Sequence, residues 1–485
     1  MRSGGITEQC SRVGILLDTP KASRASRVQR CYTLCMKRFW SSFHQHRLLG
    51  GAFSLAVTQA GASLAGLFRD RMLTKTFPGL DTVDVYIASF RPSDLLFQIA
   101  IMAGLSTVLV PLLARYKAHD QQDDMSDLLS SVIALGSIVF GVVALVLAIL
   151  FPWIAPHLVS FQGHSLELYI EFGRVALLTN FLFVCGNALG QYLITVQKYW
   201  IYGLTPIIYT VGTIFGTIYL TPMYGDRGPM IGTLIGAIVY VFFRLVGSRY
   251  SGFRWKPVLW HPDIKKMGWL MLPRMLALGA LQLELLLFDT VASGLPHGSV
   301  TVNAYARNFQ SVLVGVVGIA IAQSAFSLLS QSIARKQIKR FWIYMRKGIW
   351  MLLALTIPGS IVLVLVAPLA AHLVHLTNIL PLFTLCLIFY AISIPFESLN
   401  HLVLRAYYSM HTTTTPAIFS VLNGVIAIVV AWLLAPKYGV YAIAIGYTAG
   451  QVISLIGLAV LLPMTVRKVV PVGEEVAEVE GSYNA

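Results

Sequence analysis

The chain alternates long apolar runs with short polar segments, and the apolar runs are about 20 residues long, enough to cross a bilayer as an α-helix. The pattern predicts twelve spans, six in each half of the chain. Their approximate ranges are 48–68, 83–112, 128–154, 168–194, 201–221, 229–248, 268–293, 299–330, 348–374, 380–404, 416–435 and 438–464. The predicted fold class is therefore an all-α integral membrane protein.

Lysine and arginine are distributed unevenly between the two sides of the predicted spans. If the N-terminus is cytoplasmic, 26 of the 36 basic residues lie on the cytoplasmic side, 5 on the other side and 5 within spans. Cytoplasmic loops of membrane proteins retain an excess of positive charge. We therefore expect a multi-pass protein with both termini in the cytoplasm.

Composition excludes an ordinary soluble domain, because 56% of the residues are hydrophobic, 12% are charged and the mean hydropathy is +0.71. The net charge of +15 could suggest a nucleic-acid partner. The basic residues flank spans, however, where anionic headgroups attract them, so we expect membrane lipids as partners and no nucleic acid. The five cysteines have no metal-ligand spacing with histidines, and no metal or other cofactor is predicted.

The two ends of the chain differ from the apolar body. Residues 1–46 form a basic cytoplasmic N-terminal extension without the apolar core of a secretory signal. Two alternatives stay open for it: an organellar transit peptide, or translation that begins at Met36. Residues 471–485 are acidic and poor in large apolar side chains, which predicts a disordered tail.

Two weak internal repeats divide the chain into halves. The segment Ala88–Arg91, followed by 111–114, returns 216 residues later as Ala304–Arg307 followed by 327–330. A Thr-Pro pair near a helix start recurs as Pro206 and Pro416, 210 residues apart. Because each half contains an even number of spans, the repeats are parallel. We expect an N-lobe of residues 47–263 and a C-lobe of residues 264–470.

Several predicted spans carry a polar stripe that cannot face lipid. The members are Gln59, Ser63, Gly66 and Asp70 on span one, Asp84, Arg91 and Asp94 on span two, and Arg274, Gln282 and Asp289 on span seven. Within each span they recur at spacings that place them on one helix face. Together with Arg307 on span eight, they predict an internal cavity with cationic and anionic patches. Such a cavity is typical of a transporter.

A simpler interpretation is that these charges stabilise one another as interhelical ion pairs. It pairs Arg91 with Asp84 or Asp94, and Arg274 with Asp289 or Glu284. Two further arginines fit a purely structural interpretation. Arg174 lies three residues after Glu171 on span four and would pair with it, and Arg244 lies near a cytoplasmic end and would extend towards the interface.

The functional interpretation assigns two roles to the cavity side chains. The planar guanidinium group binds two oxygens at once, so the cavity arginines suit a phosphate or carboxylate ligand. The buried carboxylates Asp70, Asp84 and Asp289 are candidates for coupling or gating, since a change of their charge would bias an alternating-access equilibrium. Protons or monovalent cations are the corresponding partners.

The same residues resemble the MurJ/MviN family of peptidoglycan lipid II flippases, within the multidrug/oligosaccharidyl-lipid/polysaccharide exporter superfamily. The resemblance covers residues 48–465. The matching segments are Gly66-Leu-Phe-Arg69-Asp70, Asp84-Val-Tyr-Ile-Ala-Ser-Phe90-Arg91-Pro92-Ser-Asp-Leu95-Leu96, Val110-Pro111, Leu272-Pro273-Arg274, Tyr305-Ala306-Arg307-Asn308, Gly315-Val-Val-Gly318 and Arg405-Ala-Tyr407-Tyr408 through Thr415-Pro416.

The resemblance implies a V-shaped, two-lobed transporter of a bacterial inner membrane. It would move undecaprenyl-pyrophosphate-linked disaccharide peptide from the inner to the outer leaflet by alternating access, for cell wall synthesis. Arg69 falls on a family position that engages pyrophosphate, and Asp70 and Asp84 fall on acidic family positions. Arg307 precedes by one residue the position of a family arginine, where this chain has Asn308. The implied substrate-binding residues are Arg69, Arg91, Arg274, Arg307 and Asn308.

The chain also departs from the family pattern. Ser63, Phe97 and Gln98 replace family arginines, Met102 replaces an acidic residue, and twelve spans replace the usual fourteen. Arg91 and Arg274 would have to supply the missing positive charge. Two other transport functions therefore stay open: a flippase for another polyprenyl-linked glycan, and a cation-coupled exporter of drugs or metabolites. An enzyme is not favoured, because no nucleophile or metal motif is found.

Overall fold

The computed structural model describes residues 47–469, and within that range the chain is helical and contains no strand. The predicted N-terminal extension, 1–46, and the predicted acidic tail, 471–485, lie outside the described residues. The chain divides into two units, Met1–Val57 and Thr58–Ala485. The packing described below is that of residues 58–469.

The helices follow one another with short connections. They are α1 (Arg47–Thr76), α2 (Asp81–Phe97), α3 (Val110–Ala118), α4 (Gln122–Leu158), α5 (His164–Thr195), α6 (Tyr199–Phe215), α7 (Thr221–Tyr224), α8 (Gly228–Tyr250), α9 (Asp263–Ser293), α10 (Ser299–Leu313), α11 (Ala320–Ala334), α12 (Ile338–Leu365), α13 (Ala367–Leu373), α14 (Leu380–Ser409), α15 (Thr414–Tyr438) and α16 (Tyr441–Val469).

Nine helical stretches of the described range are long and apolar enough to cross a membrane. One of them, Tyr199–Tyr250, contains both α6 and α8, which were predicted as separate spans. The two other predicted spans correspond to α1 and to the run from α2 to α3. The prediction of an all-α membrane protein with about twelve spans is therefore confirmed.

The internal repeat of the sequence is accompanied by a repeated interruption of the helices. Wide π-helical turns interrupt the run from α2 to α3 at Gln98–Met102 and Leu105–Leu109, and the run from α10 to α11 at Val314–Ile319. The first interruptions of the two runs begin 216 residues apart, which is the offset of the sequence repeat. Spans two and eight thus share a π-helical interruption at equivalent positions, and span two contains a second one.

Buried side chains form separate cores in the two halves and a shared core at one end. One core consists mainly of residues between Phe97 and Phe253, and another lies between Ala322 and Val466. The shared core joins residues such as Tyr86 and Tyr169 to Val300 and Tyr390. This distribution agrees with two six-helix halves, while the lobe boundaries 47–263 and 264–470 stay a prediction.

Two arginines, the buried Arg244 and the exposed Arg174, bind carbonyl groups that prolines leave without a helical donor. Pro206 lies inside α6, not at its start as predicted, and cannot donate to the carbonyl of Tyr202. That carbonyl accepts hydrogen bonds from Thr205 Oγ1 at 2.8 Å and Arg244 Nη2 at 3.5 Å. The prediction that Arg244 extends to the interface is therefore wrong, and its side chain is only 2% exposed.

A proline also leaves a carbonyl free for an arginine in α4. Pro152 leaves the carbonyl of Ala148 without its helical donor, and Arg174 Nε donates to that carbonyl at 3.0 Å. Glu171 is instead bound by Arg227, at 2.6 and 2.8 Å. The predicted pair of Arg174 with Glu171 is wrong, because a nearby unsatisfied carbonyl competes for the guanidinium.

Candidate functional site at the junction of the two halves

Asp84 joins span two to the start of span eight. Its Oδ2 atom accepts the N–H of Gly298 at 2.7 Å, and its Oδ1 atom accepts the N–H of Thr301 at 2.7 Å and the hydroxyl of Thr301 at 2.5 Å. The first N–H groups of a helix have no partner within that helix. Asp84 therefore acts as an N-cap for α10 from another helix, and through it the first half of the chain binds the second.

Arg91 and Asp289 form a second connection between the halves. Arg91 Nε donates to Asp289 Oδ2 at 2.6 Å, and the Asp289 side chain is 3% exposed. Neither predicted partner of Arg91 is used, because Asp84 caps α10 and Asp94 accepts a hydrogen bond from Asn180 at 2.9 Å. The ion pair of Arg91 therefore joins α2 to α9 and not to another turn of α2.

The end of α1 completes this group of contacts. Arg69 donates to the carboxylate of its neighbour Asp70 at 2.7 and 2.9 Å. The hydroxyl of Tyr305 donates to the backbone carbonyl of Asp70 at 3.5 Å. Arg71 donates to the carbonyls of His372 and Leu373 at 2.8 and 3.2 Å. We call this end of the bundle, where α1 ends and α2 and α10 begin, the closed end.

Arg307 lies two residues beyond Tyr305 on α10 and contacts an aromatic ring. Its guanidinium carbon is 5.4 Å from the ring centre of Tyr447, within the range of a cation–π interaction. The buried Glu284 and the half-buried Glu397 act on it electrostatically. The adjacent Asn308 is exposed.

The second half also contains a polar cluster around Glu397 that the sequence interpretation missed. Glu397 accepts a hydrogen bond from Gln310 Nε2 at 2.6 Å and lies 4.0 Å from His401 Nε2. Glu284 is buried, and its Oε1 atom has no hydrogen-bond partner among the described residues. An acid and a histidine four residues apart within predicted span ten are a signal that could have revealed part of this cluster.

Arg274 does not join the other predicted site residues. It lies 15 residues before Asp289 on the same helix, which corresponds to about 22 Å along the axis. Its side chain is exposed, and no hydrogen bond to it is formed within the described part of the chain. The predicted pairing of Arg274 with Asp289 is therefore geometrically excluded. The structure thus brings Asp84, Arg91, Asp289, Arg69 and Asp70 to the closed end and leaves Arg274 apart.

A different set of contacts connects the halves at the opposite end of α2–α3 and α9. Arg115 Nη2 and the hydroxyl of Tyr116 donate to Asp263 at 2.9 and 2.7 Å. Between the two ends, a Cβ on Gly104 would meet the side chain of Met267, and one on Gly279 would meet Ile99. The run from α2 to α3 therefore packs against α9 along most of its length.

Comparison with known proteins identifies the family. A sequence model described as "Lipid II flippase MurJ" matches residues 74–476. The chain belongs to this family. A relative from Bdellovibrio bacteriovorus, named "Probable lipid II flippase MurJ", is 24% identical over 442 residues, covering 88% of this chain and 83% of the relative. The family prediction is confirmed.

Solved structures confirm the fold. A structure described as "Lipid II flippase MurJ, inward closed conformation" superposes with a TM-score of 0.71 at 20% identity, covering 86% of this chain and 89% of that one. An inward-facing multidrug resistance MATE family transporter superposes with a TM-score of 0.72 at 16% identity, covering 85% and 96%. The chain thus shares its overall fold with both of these transporters.

The loop that joins the two halves of this MurJ-family chain is attached to the first half. Lys256 lies 2.9 Å from Asp127 and 3.2 Å from Asp123 at the start of α4. The hydrogen bond to Asp127 raises the pKa of the Lys256 ammonium. Within the described residues, no group of three or more His, Cys, Asp or Glu side chains could hold a metal ion.

Proposed function

We propose that this protein is a lipid II flippase that moves undecaprenyl-pyrophosphate-linked peptidoglycan precursor between leaflets by alternating access. The match of the MurJ family model to residues 74–476 carries the proposal. The contacts between the two halves support it, because alternating access needs contacts at one end that can form and break.

The proposed topology places both termini in the cytoplasm of a bacterium with an inner membrane. The closed end then faces the outside, and the contact of Arg115 and Tyr116 with Asp263 lies on the inner side. In this orientation the outer end of the transporter is shut by Asp84, by the pair of Arg91 and Asp289, and by Arg71. The lobes of the proposed movement are residues 47–263 and 264–470.

The three acidic residues have gating roles in this proposal. Asp84 and Asp289 hold the two halves together when the outer end is shut, and both must lose their partners when it opens. Asp70 holds the guanidinium of Arg69 beside the junction. A proton or a monovalent cation could replace one of these partners in the open state, which gives a route for coupling.

The arginines are the proposed substrate-binding residues. A pyrophosphate offers several charged oxygens, and a guanidinium binds two of them at once. Arg69 adjoins Asp70 in the chain, and Arg307 lies two residues beyond Tyr305, whose hydroxyl donates to the Asp70 carbonyl. Arg91 becomes available only when it leaves Asp289, and Asn308 can donate from its exposed amide. Arg274, about 22 Å towards the inner side, would meet the substrate earlier.

This function requires no catalytic residue, because flipping a lipid breaks no covalent bond. The lipid-linked anionic glycan and the surrounding membrane lipids are the proposed partners. The function depends on reorienting a large polar head group across about 30 Å of hydrocarbon.

A depletion experiment tests the function. We expect the gene, expressed from Met1 or Met36, to restore growth and outer-leaflet lipid II in a bacterium depleted of its own flippase. Arg69→Ala and Arg307→Ala should each abolish this rescue while the protein stays folded and inserted in the membrane. Arg69→Ala should also lower the melting temperature, because it leaves the buried Asp70 carboxylate unpaired. Arg227→Ala, which removes an exposed ion pair with Glu171, is the matched control and should rescue normally.

The alternatives give different outcomes. Well-folded, membrane-inserted protein that fails to rescue would point to a flippase for another polyprenyl-linked glycan. Cation-dependent export of drugs by that protein would favour the exporter function, which the shared fold with a MATE transporter makes the second candidate. Normal rescue by both arginine variants would contradict their role in binding pyrophosphate.

A further inference from the structure

One face of span eight is polar and is left exposed by the described residues. Starting at Arg307, every fourth residue along α10 and α11 is exposed or half-exposed. We call Ser311, Gly315, Gln323, Ser327 and Gln331 the polar edge; Ile319 is the one large apolar side chain in this row. The adjacent exposed row contains Val312, Val316, Ala320, Ser324 and Leu328 and is mainly apolar, with Ser324 as its polar member. Two rows of different chemistry thus run side by side along one helix.

A π-helical turn lies in the middle of the polar edge. In a regular α-helix a four-residue step advances about 40° beyond a full turn, so a row with this spacing gradually winds around the axis. The wider turn at Val314–Ile319 reduces this winding. Beyond Arg307 every member of the row is exposed, over 24 residues or about 36 Å.

The equivalent face of span two is covered in its middle. Ile99 corresponds to Gly315 at the repeat offset of 216, and its side chain packs against α9 at Gly279. A Cβ built on Gly315, by contrast, meets nothing within 4 Å. Span eight is therefore more open than span two at this position, while further along the row positions 111 and 115 of span two are exposed as well.

The polar edge has unused hydrogen-bonding capacity. The amides of Gln323 and Gln331 form no hydrogen bond within the described part of the chain. The hydroxyls of Ser311 and Ser327 donate to backbone carbonyls of their own helix, which leaves their oxygen atoms free to accept. Neutral polar side chains are unfavourable against lipid tails, so a strip of them within a span indicates contact with water or with a polar ligand.

We infer that the polar edge binds the uncharged, hydroxyl- and amide-rich head group of the lipid-linked substrate while Arg307 binds its pyrophosphate. The inference rests on the proposed function and names the part of the substrate that this face recognises. The edge contains no carboxylate that would repel pyrophosphate, and it is continuous with Arg307. The apolar row beside it suits the polyprenyl chain of the same molecule.

Binding measurements with two lipids test this inference. The purified full-length protein is titrated with undecaprenyl pyrophosphate and with the same lipid bearing its glycan and peptide. The wild type should bind the glycan-bearing lipid more tightly. Gln323→Leu should weaken that binding roughly two- to tenfold, as expected for one neutral hydrogen bond, and leave binding of the bare pyrophosphate lipid unchanged. Ser327→Ala should add to the loss.

Matched controls lie on the adjacent row. Ser324→Ala and Leu328→Ala should leave the glycan-dependent difference intact, and phosphatidylglycerol should not compete for the polar edge. An equal loss for both lipids in Gln323→Leu, displacement by phosphatidylglycerol, or no effect of Gln323→Leu would overturn the inference. A wild-type protein that binds neither pyrophosphate lipid would instead contradict the proposed function.

Discussion

Asp84 and Asp289 are both buried carboxylates that hold the halves together, but their partners differ in kind. Asp84 is bound by two backbone N–H groups and a hydroxyl, all neutral, whereas Asp289 is bound by a guanidinium. Neutral donors compensate a buried charge without a counter-ion, and an ion pair leaves a charge behind when one member is lost. The two residues should therefore respond differently to substitution.

Removal of the Asp84 carboxylate should open the closed end without unfolding the protein. Asp84→Ala leaves the first N–H groups of α10 without acceptors, at a cost of about 1–2 kcal/mol, typical of a lost N-cap. A cysteine at the buried position Ser299 should then react several-fold faster with a membrane-impermeant maleimide. Asp81→Ala, in the same turn but more exposed, is the control, and equal reactivity in both variants would contradict the capping role.

Removing one member of the pair of Arg91 and Asp289 should lower the stability of the protein strongly. Removing both charges should lower it less. Arg91→Gln leaves a buried carboxylate unpaired, which we expect to lower stability by about 3–5 kcal/mol. The double variant with Asp289→Asn should recover much of this loss. Thermal unfolding of the two single variants and the double variant measures the coupling between the residues. Strictly additive losses would show that the pair is not coupled.

The sequence reveals these charges but not their partners. An ionisable residue in an apolar run is conspicuous by itself, so Asp84, Arg91 and Asp289 can be found without a structure. Arg91 and Asp289 are 198 residues apart in the chain, and their contact depends on how α2 and α9 pack. The spacing of residues along one helix indicates only partners on that helix. For this reason the sequence does not distinguish Asp84 from Asp94 as the partner of Arg91.

Among the helices, α6 and α8 show how small residues allow a close approach. A Cβ added to Gly212 would lie 2.4 Å from the Cα of Gly236, and one added to Gly216 would lie 2.6 Å from the Cα of Gly232. Small residues four apart commonly form such contacts between transmembrane helices. Backbone atoms on both sides leave no flexible side chain that could move away.

Substitution of Gly212 should therefore destabilise the first half. We expect Gly212→Ala to lower stability by about 1–3 kcal/mol, typical of overpacking, and to reduce the amount of folded protein in the membrane. Gly268→Ala, on α9 where an added Cβ meets nothing within 4 Å, should be neutral. The melting temperatures of the two purified variants test this expectation. A similar melting temperature for both variants would refute the close contact at Gly212.

Helix positions were predictable, while their irregularities were not. The apolar runs give all twelve spans because a bilayer requires about 20 apolar residues. The π-helical turns at Gln98–Met102 and Val314–Ile319 carry no residue that demands them, since Val, Ile and Gly also occur in regular helices. They arise from packing between helices, which a single sequence does not display. Pro206 was misplaced for a related reason, because Thr205 and Arg244 compensate it inside α6.

For the whole molecule, the bias of basic residues predicts which side each loop occupies. In intact cells, Gln162→Cys in the loop before α5 should react with an impermeant thiol reagent. Gln121→Cys in the loop before α4 should react only after the membrane is permeabilised. Both positions are exposed, so a difference reports sidedness and not burial. The reverse result would place the closed end in the cytoplasm and invert the proposed direction of access.

The cap at Asp84 also affects how the closed end can change over many generations. Two of its three donors are main-chain N–H groups, which every residue type except proline provides at positions 298 and 301. At position 301 the side chain can change while the main-chain contact survives. Gly298 has a φ of +87°, and a Cβ there would lie 2.7 Å from Leu80 Cδ1, so that position favours glycine. The genetic cost of losing this end of the molecule is therefore concentrated at positions 84 and 298, and at position 84 most single-nucleotide changes remove the carboxylate.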